Sequence, residues 1–253
     1  MIHLKSAEEL NKMRQAGRIV AEVHALMRER VAPGVTTAEL NELAEELIRS
    51  HRAIPSFKGY PPGSPNPFPA TICASINEEL VHGIPGPRVL NEGDIISIDV
   101  GAIHEGYHGD AALTLPVGEI DEETQRLLDV TREALYVGIA QARDGNRSGD
   151  ISAAIQEYVE ESGFNVVREY TGHGIGRSMH EDPQVPNWGQ PGHGVKLRSG
   201  MTIALEPMVL AGDYKVRVSD DKWTVVSADR KLTAHFEHTI VVRNGDAEIL
   251  TRL

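Results

Sequence analysis

Cysteine is almost absent from this sequence, because Cys73 is the only one among 253 residues. An intramolecular disulfide is therefore excluded, and so is a zinc site built from two Cys-x-x-Cys pairs. Residues 1–5 also lack the apolar segment of a secretory signal. Both absences favour a reducing compartment, and we expect a cytoplasmic protein.

Long apolar runs and an excess of basic residues are missing too. No stretch approaches the ~20 apolar residues that cross a bilayer, so we expect no membrane partner. The formal net charge of −12 argues against a broad phosphate-binding surface, and we expect no direct nucleic-acid site. The sequence contains no GxSxG, Walker or HExxH motif, which leaves serine-nucleophile and P-loop chemistry without support.

Capping residues and hydrophobic periodicity predict the same order of elements twice. Ser6 and Thr36 begin two helices, the first ending at Pro33-Gly34, and Asp121 and Asp150 begin two more, the first of these reaching about residue 143. Strands are predicted after each helix pair, at about 71–76, 94–101 and 107–115, then at 165–168, 201–210, 214–218, 223–226 and 235–242. The proline-rich segment 54–70 is predicted to be a loop. We therefore expect two similar halves related by a pseudo-twofold axis.

Four carboxylates lie in predicted strands. A hairpin that turns near residues 104–106 would place Asp99 nearly opposite Asp110, with Cβ atoms ~5 Å apart on one face. Glu206 and Glu237 interrupt apolar strands of the second half, where burying an unpaired carboxylate costs several kcal/mol. Two cations sharing a water would satisfy such a cluster. Spacing alone leaves a second interpretation open, in which each acid lies at a strand end and faces water.

Three histidines stand among glycines and prolines, namely His82, His173 and His180. Glycines beside a histidine allow backbone to approach a ligand closely. His24 lies in a helical stretch and is predicted to be on the surface, and His235 has no partner that the sequence identifies.

Seven short motifs together resemble the type I methionine aminopeptidases, although each alone is weak. They occur in order and at family-like spacing over essentially the whole chain, at residues 77–85, 98–100, 108–110, 172–176, 180–183, 206–208 and 236–239. The resemblance implies the pita-bread fold, an α+β architecture of two pseudo-twofold-related halves whose antiparallel sheet is covered by helices. It implies one catalytic domain over residues 1–253, with halves of about 1–116 and 117–253.

The resemblance also implies two divalent cations per chain, of Co, Mn, Fe or Zn. Asp110, His173, Glu206 and Glu237 would bind one cation, and Asp99, Asp110 and Glu237 the other, so that Asp110 and Glu237 bridge. A water between the cations would attack the first peptide carbonyl, with Glu206 as general base. His180 would stabilise the oxyanion or contact the scissile amide, and His82 would contact the substrate backbone or the leaving amine.

The same resemblance implies a narrow apolar pocket for the N-terminal methionine of nascent polypeptides. Its predicted lining comprises Tyr60, Phe68, Cys73, Met179 and Trp223. Phe68 replaces a usual tyrosine, Met179 replaces a usual phenylalanine, and the loop at 61–70 is longer than in familiar bacterial members. Core packing is the alternative interpretation of Tyr60 and Trp223.

Three related functions compete with this prediction. An Xaa-Pro dipeptidase-like enzyme usually carries an extra N-terminal domain, whereas only ~80 residues precede His82 here. A type II methionine aminopeptidase usually carries a helical insert, and only 25 residues separate His180 from Glu206. A non-catalytic pita-bread binding protein would have lost metal ligands, whereas all five are present here.

We expect a monomer that works near the ribosome.

Overall fold

The first pair of helices begins at the predicted capping residues. A computed structural model describes residues 2–253. In α1 (Ala7–Arg30), Ser6 Oγ accepts from Glu9 N–H while the Glu9 carboxylate accepts from Ser6 N–H, and α2 (Thr37–Ser50) repeats this arrangement with Thr36 and Glu39. These reciprocal bonds satisfy amide donors that would otherwise lack partners at the first turn, and they confirm both predicted helix starts.

In the second pair of helices, the first begins at its predicted capping residue and the second does not. Asp121 caps α3 (Glu122–Gln141) as predicted, with its Oδ1 accepting from Thr124 N–H at 2.7 Å. The prediction for Asp150 is wrong, because α4 (Ser148–Glu161) begins after Arg147. Asp150 is instead the third helical residue, and its carboxylate accepts from the Arg147 N–H at 2.7 Å. None of the helices within residues 2–253 has the length and apolarity needed to cross a membrane.

The strands are more numerous than predicted, and those predicted in the second half are shorter. In chain order they are β1 (Ile54–Pro55), β2 (Ile72–Ile76), β3 (Glu79–Val81), β4 (Ile95–His104), β5 (Tyr107–Pro116), β6 (Asn165–Val166), β7 (Thr171–Gly174), β8 (Glu181–Pro186), β9 (Thr202–Leu205), β10 (Met208–Leu210), β11 (Val216–Val218), β12 (Val225–Ser227), β13 (Thr233–His235), β14 (His238–Val241) and β15 (Glu248–Ile249). The predicted strands at 201–210 and 235–242 each divide into two, at residues 206–207 and 236–237. Pro207 contributes to the first break because it has no amide hydrogen to donate to a ladder.

Each half arranges its strands in the same way. In the first half β4 lies between β2 and β5, and in the second half β9 lies between β7 and β14, with every neighbour antiparallel. Each set of three follows a pair of helices, and β8 and β15 extend the second sheet at its edges. The repeated order agrees with the predicted pair of halves and with an α+β architecture.

The β4–β5 hairpin sets the position of the first two carboxylates. Its turn is Glu105-Gly106, with φ of +47° and +79°, which is typical of a two-residue primed turn. In this register Asp99 lies opposite Ala112, and Asp110 lies opposite Gly101. Asp99 and Asp110 are therefore diagonal neighbours on one face of the sheet, because Asp99 and Gly101 share a face.

The two halves meet where β5 runs beside residues 235–239. Three sets of hydrogen bonds join them: Thr239 Oγ1 donates to Asp110 O and accepts from Asp110 N–H, Glu237 N–H donates to Ala112 O, and Thr114 Oγ1 donates to His235 O and accepts from His235 N–H. We call this contact the seam. It places Asp110 of the first half and Glu237 of the second half close to one another.

One histidine lies where the helix pattern did not predict it. His24 is buried in α1 against the first sheet, and burial lowers its imidazole pKa to about 3. The prediction of a surface position is wrong because the buried face of α1 is wide and includes both Val23 and His24.

Candidate metal centre

A single cavity of about 140 Å³ collects every predicted site residue. Its lining combines four carboxylates, three histidines, and aromatic and sulfur-containing side chains. The lining comprises Phe57, Tyr60, Phe68, Cys73, His82, Asp99, Asp110, His173, Met179, His180, Glu206, Trp223 and Glu237. Residues from both halves thus converge, although they are distant in the sequence.

The acidic side holds carboxylates that the protein itself does not satisfy. Asp110 and Glu237 are almost fully buried, and Asp99 Oδ1, Asp110 Oδ1 and Glu237 Oε1 are buried without a hydrogen-bond partner. Burial raises the pKa of Asp99 to about 7. Burial, followed by repulsion from neighbouring carboxylates, raises the pKa values of Asp110 and Glu237 well above their ordinary range, and the Glu206 pKa rises for the same reasons.

The geometry of these groups fits a divalent cation. Asp110, His173 and Glu237 each offer a ligand atom, and the three atoms lie within 4.8 Å of one another. His173 Nδ1 lies 2.9 Å from the Gly174 carbonyl, which can only accept, so Nδ1 carries the hydrogen and Nε2 keeps its lone pair for a metal. His173 Nε2 is also 3.5 Å from Glu206 Oε1, which places Glu206 beside the same three groups.

Burial keeps the three site histidines neutral. It lowers the pKa values of His82 and His173 to about 4, and it lowers that of His180 as well. The His180 ring contacts both Tyr60 and His173, with its centroid 5.3 Å from that of Tyr60 and 4.3 Å from that of His173. His82 adopts a positive φ of 60° and lies edge-on to Trp223 at 6.1 Å. A neutral imidazole can donate a hydrogen bond from one ring nitrogen and accept one at the other.

The apolar side of the cavity has the composition predicted for a methionine pocket. Phe68 lies edge-on to Trp223 with ring centroids 5.2 Å apart, and both belong to a small apolar cluster that also includes Cys73, Met179 and Tyr60. Trp223 and Tyr60 therefore line a cavity as well as packing against neighbours.

Two residues of the site were missed in the sequence. Phe57 lines the apolar side, and no signal distinguished it within the proline-rich segment. His235 is fully buried, with Nε2 at 3.7 Å from Glu206 Oε2 and 3.9 Å from Glu237 Oε2, and burial lowers its pKa to about 3. Its place two residues before Glu237 was the available signal.

A wider polar groove adjoins the cavity. It has a volume of about 690 Å³ and shares His173 and His180 with the site. Its wall includes an ion pair between the buried Lys5 and the partly buried Glu181, with Lys5 Nζ 2.6 Å from Glu181 Oε2. The shared histidines connect the small cavity to a space large enough for more than one residue.

The fold and site define a class that the sequence comparisons identify directly. The sequence model of metallopeptidase family M24 matches residues 11–244, and the chain therefore belongs to this family. Within it, the chain groups with the methionine aminopeptidases. It is 53% identical over 253 residues to "Methionine aminopeptidase 1" of Bacillus subtilis (strain 168), with 100% of both chains covered. It is 54% identical over 252 residues to "Methionine aminopeptidase" of Clostridium acetobutylicum, with 99% of each covered.

Solved structures separate the expected function from its nearest rival. A methionine aminopeptidase from Thermotoga maritima matches with a TM-score of 0.97 and 48% identity over 100% of both chains. An Xaa-Pro dipeptidase from Bacillus anthracis matches with a TM-score of 0.79 and 22% identity, and this chain covers 62% of it. The second likeness shows the shared pita-bread fold alone. Both the predicted fold and the predicted resemblance are confirmed.

Proposed function

We propose that this chain is a metalloaminopeptidase that removes the N-terminal methionine from nascent proteins and peptides. This proposal rests on one observation, which is that a single cavity joins a side-chain-sized apolar pocket to a buried carboxylate cluster. An apolar pocket with a few convergent polar groups is typical of a small-ligand site. The methionine aminopeptidases that are about half identical to the chain over its full length support the choice of substrate.

The carboxylate cluster would hold two cations. We assign one to Asp110, His173, Glu206 and Glu237, and the other to Asp99, Asp110 and Glu237. Oxygen ligands with one imidazole suit Mn, Fe or Co, and Zn is also accommodated by such donors. When bound, two such cations supply Lewis acidity and an activated water.

The chain's own residues then divide the remaining tasks. Glu206 accepts a proton from the attacking water and passes it toward the leaving amine. His180 donates a hydrogen bond to the scissile carbonyl oxygen as its charge develops, and His82 contacts the substrate backbone or the leaving nitrogen. The closed apolar end holds the methionine side chain, so the free α-amino group lies beside the carboxylates. This placement explains why cleavage would occur only after the first residue.

A cytoplasmic monomer acting close to the ribosome completes the proposal. The single cysteine is buried and free, which is compatible with a reducing compartment. Co-sedimentation of the chain with ribosomes, together with its mass by light scattering, tests both points.

The decisive experiment is chelation followed by metal add-back. We expect no activity after treatment with EDTA, and release of methionine from a Met-Ala tripeptide after addition of Mn²⁺, Co²⁺, Fe²⁺ or Zn²⁺. Xaa-Pro peptides should remain intact, and their cleavage would indicate the dipeptidase function instead. If no cation restores methionine release, the proposed function is wrong. The variant Glu206→Gln, assayed under the same conditions, should bind peptide without turning it over.

A further inference from the structure

Tyr60 contacts a histidine of the site through its hydroxyl group. Tyr60 Oη lies 2.6 Å from His180 Nδ1, and the two ring centroids are 5.3 Å apart. The residues are 120 positions apart in the sequence, so the contact depends on the fold. Tyr60 was expected to line the methionine pocket, a role that needs its ring but not its hydroxyl.

The backbone around Tyr60 holds this hydroxyl in place. Tyr60 N–H donates to Phe57 O at 2.9 Å, while Phe68 N–H donates to Tyr60 O at 2.7 Å and Gly59 N–H donates to Phe68 O at 2.8 Å. These bonds close the base of the segment, and residues 61–67 form a loop beyond them. The backbone of Tyr60 is therefore held at both its N–H and its carbonyl group.

Either Tyr60 Oη or His180 Nδ1 can carry the hydrogen of this bond, and the two arrangements differ in the tautomer of His180. The phenol O–H is a stronger acid, and therefore a stronger hydrogen-bond donor, than the N–H of a neutral imidazole. The phenol hydrogen can then be donated to Nδ1. A neutral imidazole that accepts at Nδ1 carries its hydrogen at Nε2. His180 lines the cavity in contact with both Tyr60 and His173, and in this tautomer its single N–H donor is at Nε2.

We propose that Tyr60 is a positioning residue whose hydroxyl fixes His180 as the Nε2–H tautomer and so preorganises the donor that meets the scissile carbonyl. This inference rests on the proposed function for the role of His180 and extends it to a second residue. A donor that is already oriented before the reaction lowers the barrier because no reorganisation is needed as charge develops. Without the hydroxyl, His180 would divide between two tautomers and two ring orientations.

The test removes only the hydroxyl, by Tyr60→Phe. We expect kcat for a Met-Ala tripeptide to fall about three- to tenfold, the range of one hydrogen bond, while KM changes less than about twofold. The matched control is Tyr136→Phe, an exposed tyrosine on α3, which should leave both constants unchanged. In a His180→Ala background Tyr60→Phe should have no further effect. An equal loss in that background would show that Tyr60 acts independently, which overturns the proposal.

A spectroscopic readout separates this inference from the proposed function. In ¹⁵N-histidine-labelled full-length protein, with and without Zn²⁺, the His180 nitrogen shifts should report the Nε2–H tautomer, and Tyr60→Phe should move them toward a mixture. Unchanged shifts in that variant would refute the positioning role even if methionine is released. If no metal supports methionine release but the shifts move, the proposed function fails while the hydrogen-bond assignment stands and its catalytic role is withdrawn.

Discussion

Replacing Asp110 by asparagine tests the metal centre most directly. The substitution keeps the volume of a buried side chain and removes one charge from a cluster whose members repel one another. Asp110 is assigned to both cations, and its ligand atom lies within 4.8 Å of those of His173 and Glu237. Asp110→Asn should therefore leave the metal-free protein equally stable or more stable, and it should remove the stabilisation that metal gives to the natural chain.

The size of the effect follows from linkage. A cation at 100 times its dissociation constant stabilises the folded state by about 2.7 kcal/mol. For a chain of this length each kcal/mol raises the Tm by about 2–4 °C, so saturating metal should raise the Tm of the natural chain by about 5–10 °C. In Asp110→Asn the rise should be below about 2 °C, because the amide oxygen is a far weaker ligand than the carboxylate.

The assay is calorimetry at pH 7.5 after EDTA treatment and during titration with Mn²⁺, with metal content measured in parallel. Asp129→Asn, at a half-exposed position on α3, is the matched control and should retain the full shift. A full shift and unchanged metal content in Asp110→Asn would refute the bridging role. A metal-free variant that is much less stable than the natural chain would refute the argument from carboxylate repulsion.

Three further predictions concern stability and reactivity. In the folded chain the pKa of Glu248 is lowered to about 2, chiefly by a hydrogen bond from Arg14. Between pH 4.5 and 2 the unfolded chain therefore binds more protons than the folded chain. Glu248→Gln should therefore cost about 1 kcal/mol in urea unfolding at pH 7, and this difference should shrink below pH 4.5. Burial raises the thiol pKa of Cys73, so iodoacetamide at pH 8 should label this cysteine only after unfolding. Mass spectrometry measures the labelling, and rapid labelling of the folded protein would contradict the prediction. Gly109→Ala should lower the Tm by about 6 °C or more, because the added Cβ would lie 2.6 Å from the backbone of α1. Gly86→Ala is the control and should leave the Tm unchanged, because its Cβ would enter open space. Equal Tm values for the two variants would contradict the clash.

Local signals predicted the frame of the fold well. The helix starts at Ser6, Thr36 and Asp121 depend on side chains within three residues, and the β4–β5 turn depends on adjacent residues, so each could be predicted from a short window. The strands β7 and β8 could not, because their glycines and prolines have low strand propensity and their pairing comes from distant partners. Asp150 shows a related limit, since an acid near a helix start suits either the cap or the third position.

The twelve predicted site residues could be brought together only by the family resemblance. Spacing suggested the Asp99–Asp110 pair, but nothing local linked it to Glu206 and Glu237. His235 was missed because its contact with Glu206 joins residues distant in the sequence, and Phe57 because nothing distinguished it within the proline-rich segment. The position of His24 was predicted wrongly for a similar reason, since the width of a buried helix face depends on the sheet beneath it.

The seam explains how four repelling carboxylates can be held together at all. Around Asp110 and Glu237 the backbone is fixed by bonds that involve no carboxylate, because Thr239 and Thr114 hydroxyls and the Ala112 carbonyl make them. These neutral bonds set the spacing of the ligands before any cation binds, and the buried carboxylate oxygens are left without partners. Electrostatic repulsion is thus balanced by hydrogen bonding and packing elsewhere in the fold. Asp110→Asn should therefore preserve the seam while losing the metal, since the amide and carbonyl that Asp110 contributes to the seam are backbone groups.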